Sequence, residues 1–160
     1  LSHPTARQLV PVGPPEEIAV AVDAEVKEGG AKVGKVLTTR SWLVRPHFFG
    51  TDILYLGDIA WAYKHETVHK KYGVTTNRTY STIVCDVRGK RWQFPLSQVQ
   101  VDGLLRELNA RVPWAFIGFT AQLQAAWKKN RKQVLDEVEA RKRKATAEGP
   151  PPEPPPIQVQ

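Results

Sequence analysis

A five-residue motif near the middle of the chain has the residue types and spacing of a catalytic zinc site. Residues 65 to 69 read His-Glu-Thr-Val-His, which matches the H-E-x-x-H signature. On a helix, positions i and i+4 share one face, so His65 and His69 could bind one zinc ion while Glu66 activates the metal-bound water. A site of this kind hydrolyses peptide bonds. The chemistry therefore depends on the conformation of this segment.

The residues around the motif favour a strand. Aromatic and β-branched residues occupy alternate positions from Ile59 to Thr67, which is the period-two pattern of a strand. On a strand the two histidines would lie about 13 Å apart, whereas zinc–nitrogen bonds are about 2 Å long. No third histidine follows at the metzincin spacing, and Lys64, Lys70 and Lys71 add charge that opposes a dication. We therefore expect an extended backbone, with no metal, no cofactor and no catalytic residue.

The other reactive residue types do not form a recognised catalytic pattern. His3 and His47 lie in irregular or turn-like contexts, and no serine has the surroundings of a nucleophile elbow. The lone Cys85 lies in the apolar run Ser-Thr-Ile-Val-Cys-Asp-Val, which favours a small buried side chain. A single cysteine also excludes an intrachain disulfide framework.

The composition predicts one domain with tails and a modest core. The chain has 160 residues, of which 41% are hydrophobic, and a net charge of +7. No apolar run of about 18 residues that could span a membrane is present. The chain begins at Leu1 and contains no Met. We therefore expect a segment upstream of Leu1, and a location that is either cytoplasmic or membrane-associated through that segment.

Hydrophobic periodicity divides the chain into four regions. An N-terminal arm with a helix over residues 15–28 occupies residues 1–34, and the core occupies residues 35–119. A charged helix over 120–145 and a proline-rich, disordered tail over 146–160 follow.

The core pattern predicts an antiparallel meander over residues 35–96 and then a helix. We expect one strand, or two joined by a bend, before Pro46, and further strands at Ile53–Leu56, from Ile59, at Thr79–Val87 and at Arg91–Leu96. Ser97 and Gln100 form a capping-box pattern at the start of an amphipathic helix. Thr120 caps the last helix, which we expect to run unbroken and to project from the core. The predicted fold class is α+β.

This order of elements resembles the pleckstrin-homology-like barrel, here as a partial barrel. The segments that carry the resemblance are VLTTRSWLVRP, ILYLGDIAWAYKHE, YSTIVCDVRGKRWQFPL and SQVQVDGLLRELNARVPW, within residues 35–145. DIAWAY and ARVPWAFIGFTAQLQAAW are also similar to segments of uncharacterised bacterial proteins of this kind. The resemblance implies a scaffold that binds partners and rarely catalyses. The basic pattern of eukaryotic lipid-binding members, K-x(n)-[K/R]-x-R, is absent.

Three functions are compatible with the sequence, and a non-catalytic interaction domain in a larger or membrane-associated assembly is the first. Its protein partner would bind an apolar stripe on the C-terminal helix, formed by Leu123, Trp127, Val134 and Val138. The alternative for this stripe is that Trp127 packs on its own domain. No small-molecule substrate is expected.

Electrostatic binding of an anionic membrane or a nucleic acid is the second possibility. It would use the basic residues of 128–144, which are Lys128, Lys129, Arg131, Lys132, Arg141, Lys142, Arg143 and Lys144. The negative charges of the interleaved Asp136, Glu137 and Glu139 would weaken such binding. A zinc metallopeptidase that uses the H-E-x-x-H motif is the least favoured reading.

Overall fold

The structure, a computed structural model, describes residues 15–147 and has an α+β fold. The predicted arm upstream of residue 15 and the predicted proline-rich tail from residue 148 lie outside the described residues. Both α-helices and β-strands are present among these residues, so the predicted α+β fold class is confirmed.

The first sheet is a four-stranded antiparallel meander, which we call sheet A. Its strands are β1 (Ala31–Val33), β2 (Val36–Thr38), β3 (Trp42–His47) and β4 (Gly50–Tyr55), in the order β1-β2-β3-β4. Three strands thus precede β4 where the sequence predicted one or two. Gly34 has a φ of 58°, which permits the tight turn that separates β1 from β2.

The second sheet, sheet B, contains the H-E-x-x-H segment in an extended conformation, as predicted. Its strands are β5 (Ile59–Lys71), β6 (Val74–Asp86), β7 (Arg91–Leu96) and β8 (Phe116–Ile117), in the order β7-β6-β5-β8. The short β8 pairs in parallel with β5, and the other pairs are antiparallel. β6 begins well upstream of the predicted Thr79, because Tyr72 and Gly73 both have positive φ and close a tight hairpin turn.

Four α-helices of the described residues pack around the sheets. They are α1 (Pro15–Glu28), α2 (Gln98–Arg111), α3 (Ala121–Lys129) and α4 (Arg131–Ala147). The predicted capping box of Ser97 and Gln100 and the cap at Thr120 are confirmed. The prediction of one unbroken last helix is wrong. Asn130 has φ −146° and ψ 61°, outside the helical region, and therefore divides the segment into α3 and α4.

The hydrophobic residues form three clusters that correspond to three packed layers. The inner cluster lies between the two sheets and is closed by Leu104 and Leu108 of α2. A second cluster joins the outer face of sheet B to α3 and α4. A third joins the outer face of sheet A to Ile18 and Val22 of α1. Among the described residues the two sheets do not close into a barrel.

Glu25 attaches α1 to the corner between β2 and β3. Its buried carboxylate accepts hydrogen bonds from the hydroxyls of Thr39 and Ser41, each at 2.8 Å, and from the Ser41 N–H at 3.0 Å. Burial alone would raise the pKa of this carboxyl. The hydrogen bonds from Ser41 and Thr39, together with the charge of Arg40, outweigh burial and hold the pKa below its ordinary value of 4.5.

Glu25→Gln is expected to lower the free energy of unfolding by about 2 kcal/mol near neutral pH, because an amide cannot accept all these bonds. The pKa of Glu25 is lower in the folded chain than in the unfolded chain. Its charged form therefore contributes stability above its ordinary pKa of 4.5, and this contribution is lost as the pH falls through the lower, folded pKa. Urea titrations should show the difference between wild type and variant shrinking as the pH falls below 4.5. A difference independent of pH would contradict this role.

Candidate functional site

His69 of the H-E-x-x-H motif lies on the two-stranded, projecting part of the β5–β6 hairpin, whereas His65 lies where β7 still pairs with β6. His65 is opposite Ser81 and His69 is opposite Asn77, and the His69 imidazole lies 3.1 Å from the Thr79 hydroxyl. Glu66 forms an ion pair with Arg78 at 2.6 Å. Within residues 15–147, no three His, Cys, Asp or Glu side chains come together in a way that could hold a metal ion.

The predicted partner-binding stripe faces the chain's own sheet. Trp127, Val134 and Val138 are buried against the outer face of sheet B, and Leu123 is half-buried beside them. The helices therefore do not project, contrary to the prediction. An amphipathic stripe buries its apolar face wherever such a surface is within reach, and the outer face of sheet B supplies one. The structure therefore shows the alternative arrangement, in which Trp127 packs on its own domain.

Some of the predicted basic residues of 128–144 contact other parts of the domain, and others do not. The Arg131 guanidinium lies 5.3 Å from the Trp127 ring centroid, and that of Arg141 lies 4.0 Å from the Phe116 ring centroid. Lys142 donates a hydrogen bond to the Gly57 carbonyl at 2.8 Å. Lys128 lines a groove described below. Lys129, Lys132, Arg143 and Lys144 are exposed. Arg131, Arg141 and Lys128 are themselves exposed, and only Lys142 is half-buried, so most of these cations face solvent while some also contact the domain.

An open groove of about 510 Å³ lies between β5, α3 and the segment that joins β8 to α3. We call it the aromatic groove. It is lined by Trp61, Tyr63, Lys64, His65, Glu66, Cys85, Gly89, Arg91, Phe119, Gln124, Trp127 and Lys128. A groove of this volume is within the range of sites that bind small ligands or short peptide segments.

Four aromatic rings form the wall of the aromatic groove. The ring centroid of Trp61 lies 4.4 Å from that of Tyr63, 6.2 Å from that of Phe119 and 5.8 Å from that of Trp127. The Trp61 indole N–H donates to the Gly118 carbonyl at 2.8 Å, which fixes the ring. Phe119 is 49% exposed, whereas the other three are buried. The wall is therefore rigid and presents one accessible apolar ring.

The polar groups of the aromatic groove include several cations, but its thiol is not a reactive nucleophile. Arg91 and Lys128 are exposed at its rim, and the Lys64 ammonium lies 3.4 Å from the Asp102 carboxylate. Burial raises the pKa of the Cys85 thiol to about 11, with Arg91 partly opposing the shift. The thiol is therefore neutral near physiological pH and a poor nucleophile. The groove therefore offers cations to an anionic ligand and an aromatic wall to an apolar one.

One edge of β5 is open along the aromatic groove. β8 pairs with β5 only at Trp61 and Ala62, and the Gly118 N–H then donates to the Ala62 carbonyl at 2.8 Å. Gly118 has a φ of 110°, and there the chain leaves the edge. Because backbone groups of a strand point to alternate sides, those of Lys64 and Glu66 also face this edge. No strand of the described residues pairs with them.

The comparisons with known proteins place the chain in a family. A family model described as a domain of unknown function, DUF6709, matches residues 23–127. The chain belongs to this family. The DUF6709 match begins within α1 and ends at Trp127, so it includes both sheets, α2 and the aromatic wall of the groove. No curated protein and no solved structure matches the chain.

The DUF6709 region contains surface features that the sequence did not predict. The open edge of β5 begins where its short parallel pairing with β8 ends. The same pairing brings Phe119 close to Tyr63, with ring centroids 5.4 Å apart. The one available signal was the aromatic-rich segment Trp-Ala-Phe-Ile-Gly-Phe over residues 114–119. No helix of the described residues is long and apolar enough to cross a membrane.

Proposed function

We propose that this chain is a non-catalytic interaction domain that binds an extended segment of a partner protein in the aromatic groove. The observation that carries the proposal is the open edge of β5 beside an apolar wall. A partner strand would continue the ladder where β8 stops, and its backbone would pair with Lys64 and Glu66.

The side chains of the groove support a particular kind of segment. An added strand presents alternate residues to one face, so one apolar side chain would contact Phe119 beside the buried rings of Trp61 and Trp127. The exposed Arg91 and Lys128 would attract carboxylates of the same segment. The expected ligand is therefore an acidic peptide with an apolar anchor.

A strand fits these observations better than a single-stranded nucleic acid does. Proteins that bind nucleic acid bases by stacking present accessible ring faces. Here Trp61, Tyr63 and Trp127 are each buried to more than nine-tenths of their surface, with exposures of 2%, 8% and 8%. Phe119 is the one ring of the wall with a large accessible area.

Binding is expected to depend on the backbone N–H of residue 66. A displayed library of random linear peptides would be selected on the wild-type chain, and the recovered peptide synthesised with a fluorophore. Glu66→Pro removes an N–H that faces the open edge and leaves the β6 ladder intact. We expect its Kd, measured by fluorescence anisotropy, to rise about tenfold or more.

Glu66→Ala is the matched control, because it removes the carboxylate and keeps the N–H. We expect its Kd to stay within about twofold of wild type, since the Glu66–Arg78 pair is exposed. Selection of no peptide, or equal effects of the two variants, would contradict strand addition. Tighter binding of a thymidine oligonucleotide than of the peptide would favour a nucleic-acid partner.

We also propose that the two sheets and α2 are related to the pleckstrin-homology-like barrel. Four antiparallel strands, then a three-strand meander, then the closing helix α2 follow the order that this resemblance implies. An experimental structure of the chain tests it. A sheet order other than β1-β2-β3-β4 and β7-β6-β5 would contradict the relationship.

A further inference from the structure

We infer that the tip of the β3–β4 hairpin inserts into the surface of a lipid bilayer. Phe48 and Phe49 form this tip and are 94% and 85% exposed, and their rings pack edge to face with centroids 5.1 Å apart. Two adjacent phenylalanines at this exposure are costly in water, and burying them in an apolar medium is favourable.

The shape of the hairpin suits a bilayer. β3 pairs with β2 only at Leu43 and Val44, so the part of the hairpin from Arg45 outward is a two-stranded projection. A protein interface of standard size buries about 800 Å² on each partner, which a convex two-residue tip does not offer. A lipid surface needs no complementary shape and accepts apolar groups at the level of the headgroups and upper chains.

One backbone donor of the tip has a partner within the hairpin, which favours an apolar environment because an unpaired N–H is costly there. The Phe49 N–H donates to Nδ1 of His47 at 3.3 Å, and His47 pairs across the strands with Gly50. Nε2 of His47 lies 3.3 Å from an Asp52 oxygen, and the Arg45 guanidinium lies 3.7 Å from the other. The polar groups below the rings therefore already have partners.

The charges around the base of the hairpin favour anionic lipid only modestly. Lys32 and Lys35 are exposed, and together with Pro46 and Thr51 they line a groove of about 490 Å³ between α1 and sheet A. Asp23 lines the same groove and opposes them. Insertion of the rings therefore carries the binding, and the lysines add a smaller attraction to phosphate headgroups.

Insertion is tested with a fluorescent reporter at the tip. Phe48→Cys adds an exposed thiol, whereas the natural Cys85 is buried, so an environment-sensitive dye labels position 48 alone. The control is Ala125→Cys, an exposed position on α3, which packs on the outer face of sheet B rather than on sheet A. With phosphatidylcholine–phosphatidylserine vesicles we expect emission to rise and shift to the blue for position 48 only. No change at position 48, or an equal change at both positions, would overturn the inference.

Co-sedimentation with the same vesicles measures the contribution of the rings. The double variant Phe48→Ser, Phe49→Ser is expected to bind at least about tenfold more weakly, whereas Val99→Ser, which removes an 80% exposed valine from α2, should bind like wild type. Lys32→Ala with Lys35→Ala should weaken binding by about threefold, and only with phosphatidylserine present. Absence of wild-type binding, or equal binding by the double serine variant, would overturn the inference. Both assays are independent of the peptide groove.

Discussion

Trp127→Ala is expected to lower the free energy of unfolding by about 4 kcal/mol. Trp127 is 8% exposed and packs in the cluster that joins sheet B to α3 and α4. Its ring centroid lies 5.8 Å from that of Trp61, and the Arg131 guanidinium covers it at 5.3 Å. Truncation would leave a cavity, remove these contacts and detach α3 from the sheet.

The matched control for this truncation is Phe119→Ala, which removes a 49% exposed ring from the same wall. We expect a loss of about 1 kcal/mol there, because a half-exposed ring buries less surface on folding. Equilibrium urea denaturation, followed by circular dichroism, gives both values. If Trp127→Ala had normal stability but lost binding to a partner, the stripe on the C-terminal helix would be an interface, as the sequence first suggested.

Local sequence patterns predicted the elements that depend on neighbouring residues. α1 follows from Ile18 and Val22, which repeat at helical spacing and are both buried. The capping box of Ser97 and Gln100 fixes the start of α2 because its two hydrogen bonds are local. The extended backbone at His65 and His69 also follows from a local period-two pattern.

The same patterns did not reveal which surface covers each apolar face. The stripe of Trp127, Val134 and Val138 indicates that a face is buried, but it is equally compatible with a partner and with sheet B. The deciding contacts join residues far apart in sequence, such as the Lys142 ammonium and the Gly57 carbonyl at 2.8 Å. Pairs of this kind have no local signal, and therefore the projecting helix was predicted wrongly.

The arrangement of layers explains why binding is proposed at two particular places. α1 covers the outer face of sheet A, and α3 with α4 covers the outer face of sheet B. The apolar outer faces of both sheets are thus covered within the domain. The β5 edge beyond Ala62 and the tip at Phe48 and Phe49 leave strand groups or large apolar rings uncovered. Both features are therefore candidates for intermolecular contact, one with a peptide and one with lipid.

Asp86 organises the turn between β6 and β7, which forms one end of the aromatic groove. Its carboxylate is fully buried and accepts hydrogen bonds from the N–H groups of Arg88 at 2.9 Å and Lys90 at 3.0 Å, and from the Trp92 indole at 3.3 Å. Gly89 has a φ of 84°, and a Cβ at this position would collide with the Arg131 guanidinium. The carboxylate and the glycine thus add to the backbone hydrogen bonds of this turn, in which the Asp86 N–H donates to the Lys90 carbonyl at 3.0 Å and the Gly89 N–H donates to the Asp86 carbonyl at 2.9 Å.

Asp86→Ala should lower the free energy of unfolding by about 3 kcal/mol. The N–H groups of Arg88 and Lys90 and the Trp92 indole would lose their acceptor, and the Arg88 guanidinium would lose an ion-pair partner at 3.4 Å. Asp86→Asn keeps one acceptor oxygen in nearly the same volume, so its expected loss is about 1.5 kcal/mol. Chemical denaturation of both variants measures the difference. Hydrogen exchange should show faster opening at Lys90 in the alanine variant, since this N–H loses its acceptor while the β5–β6 ladder remains paired. Equal stability of the alanine variant and wild type would mean that the turn is held by backbone pairing alone.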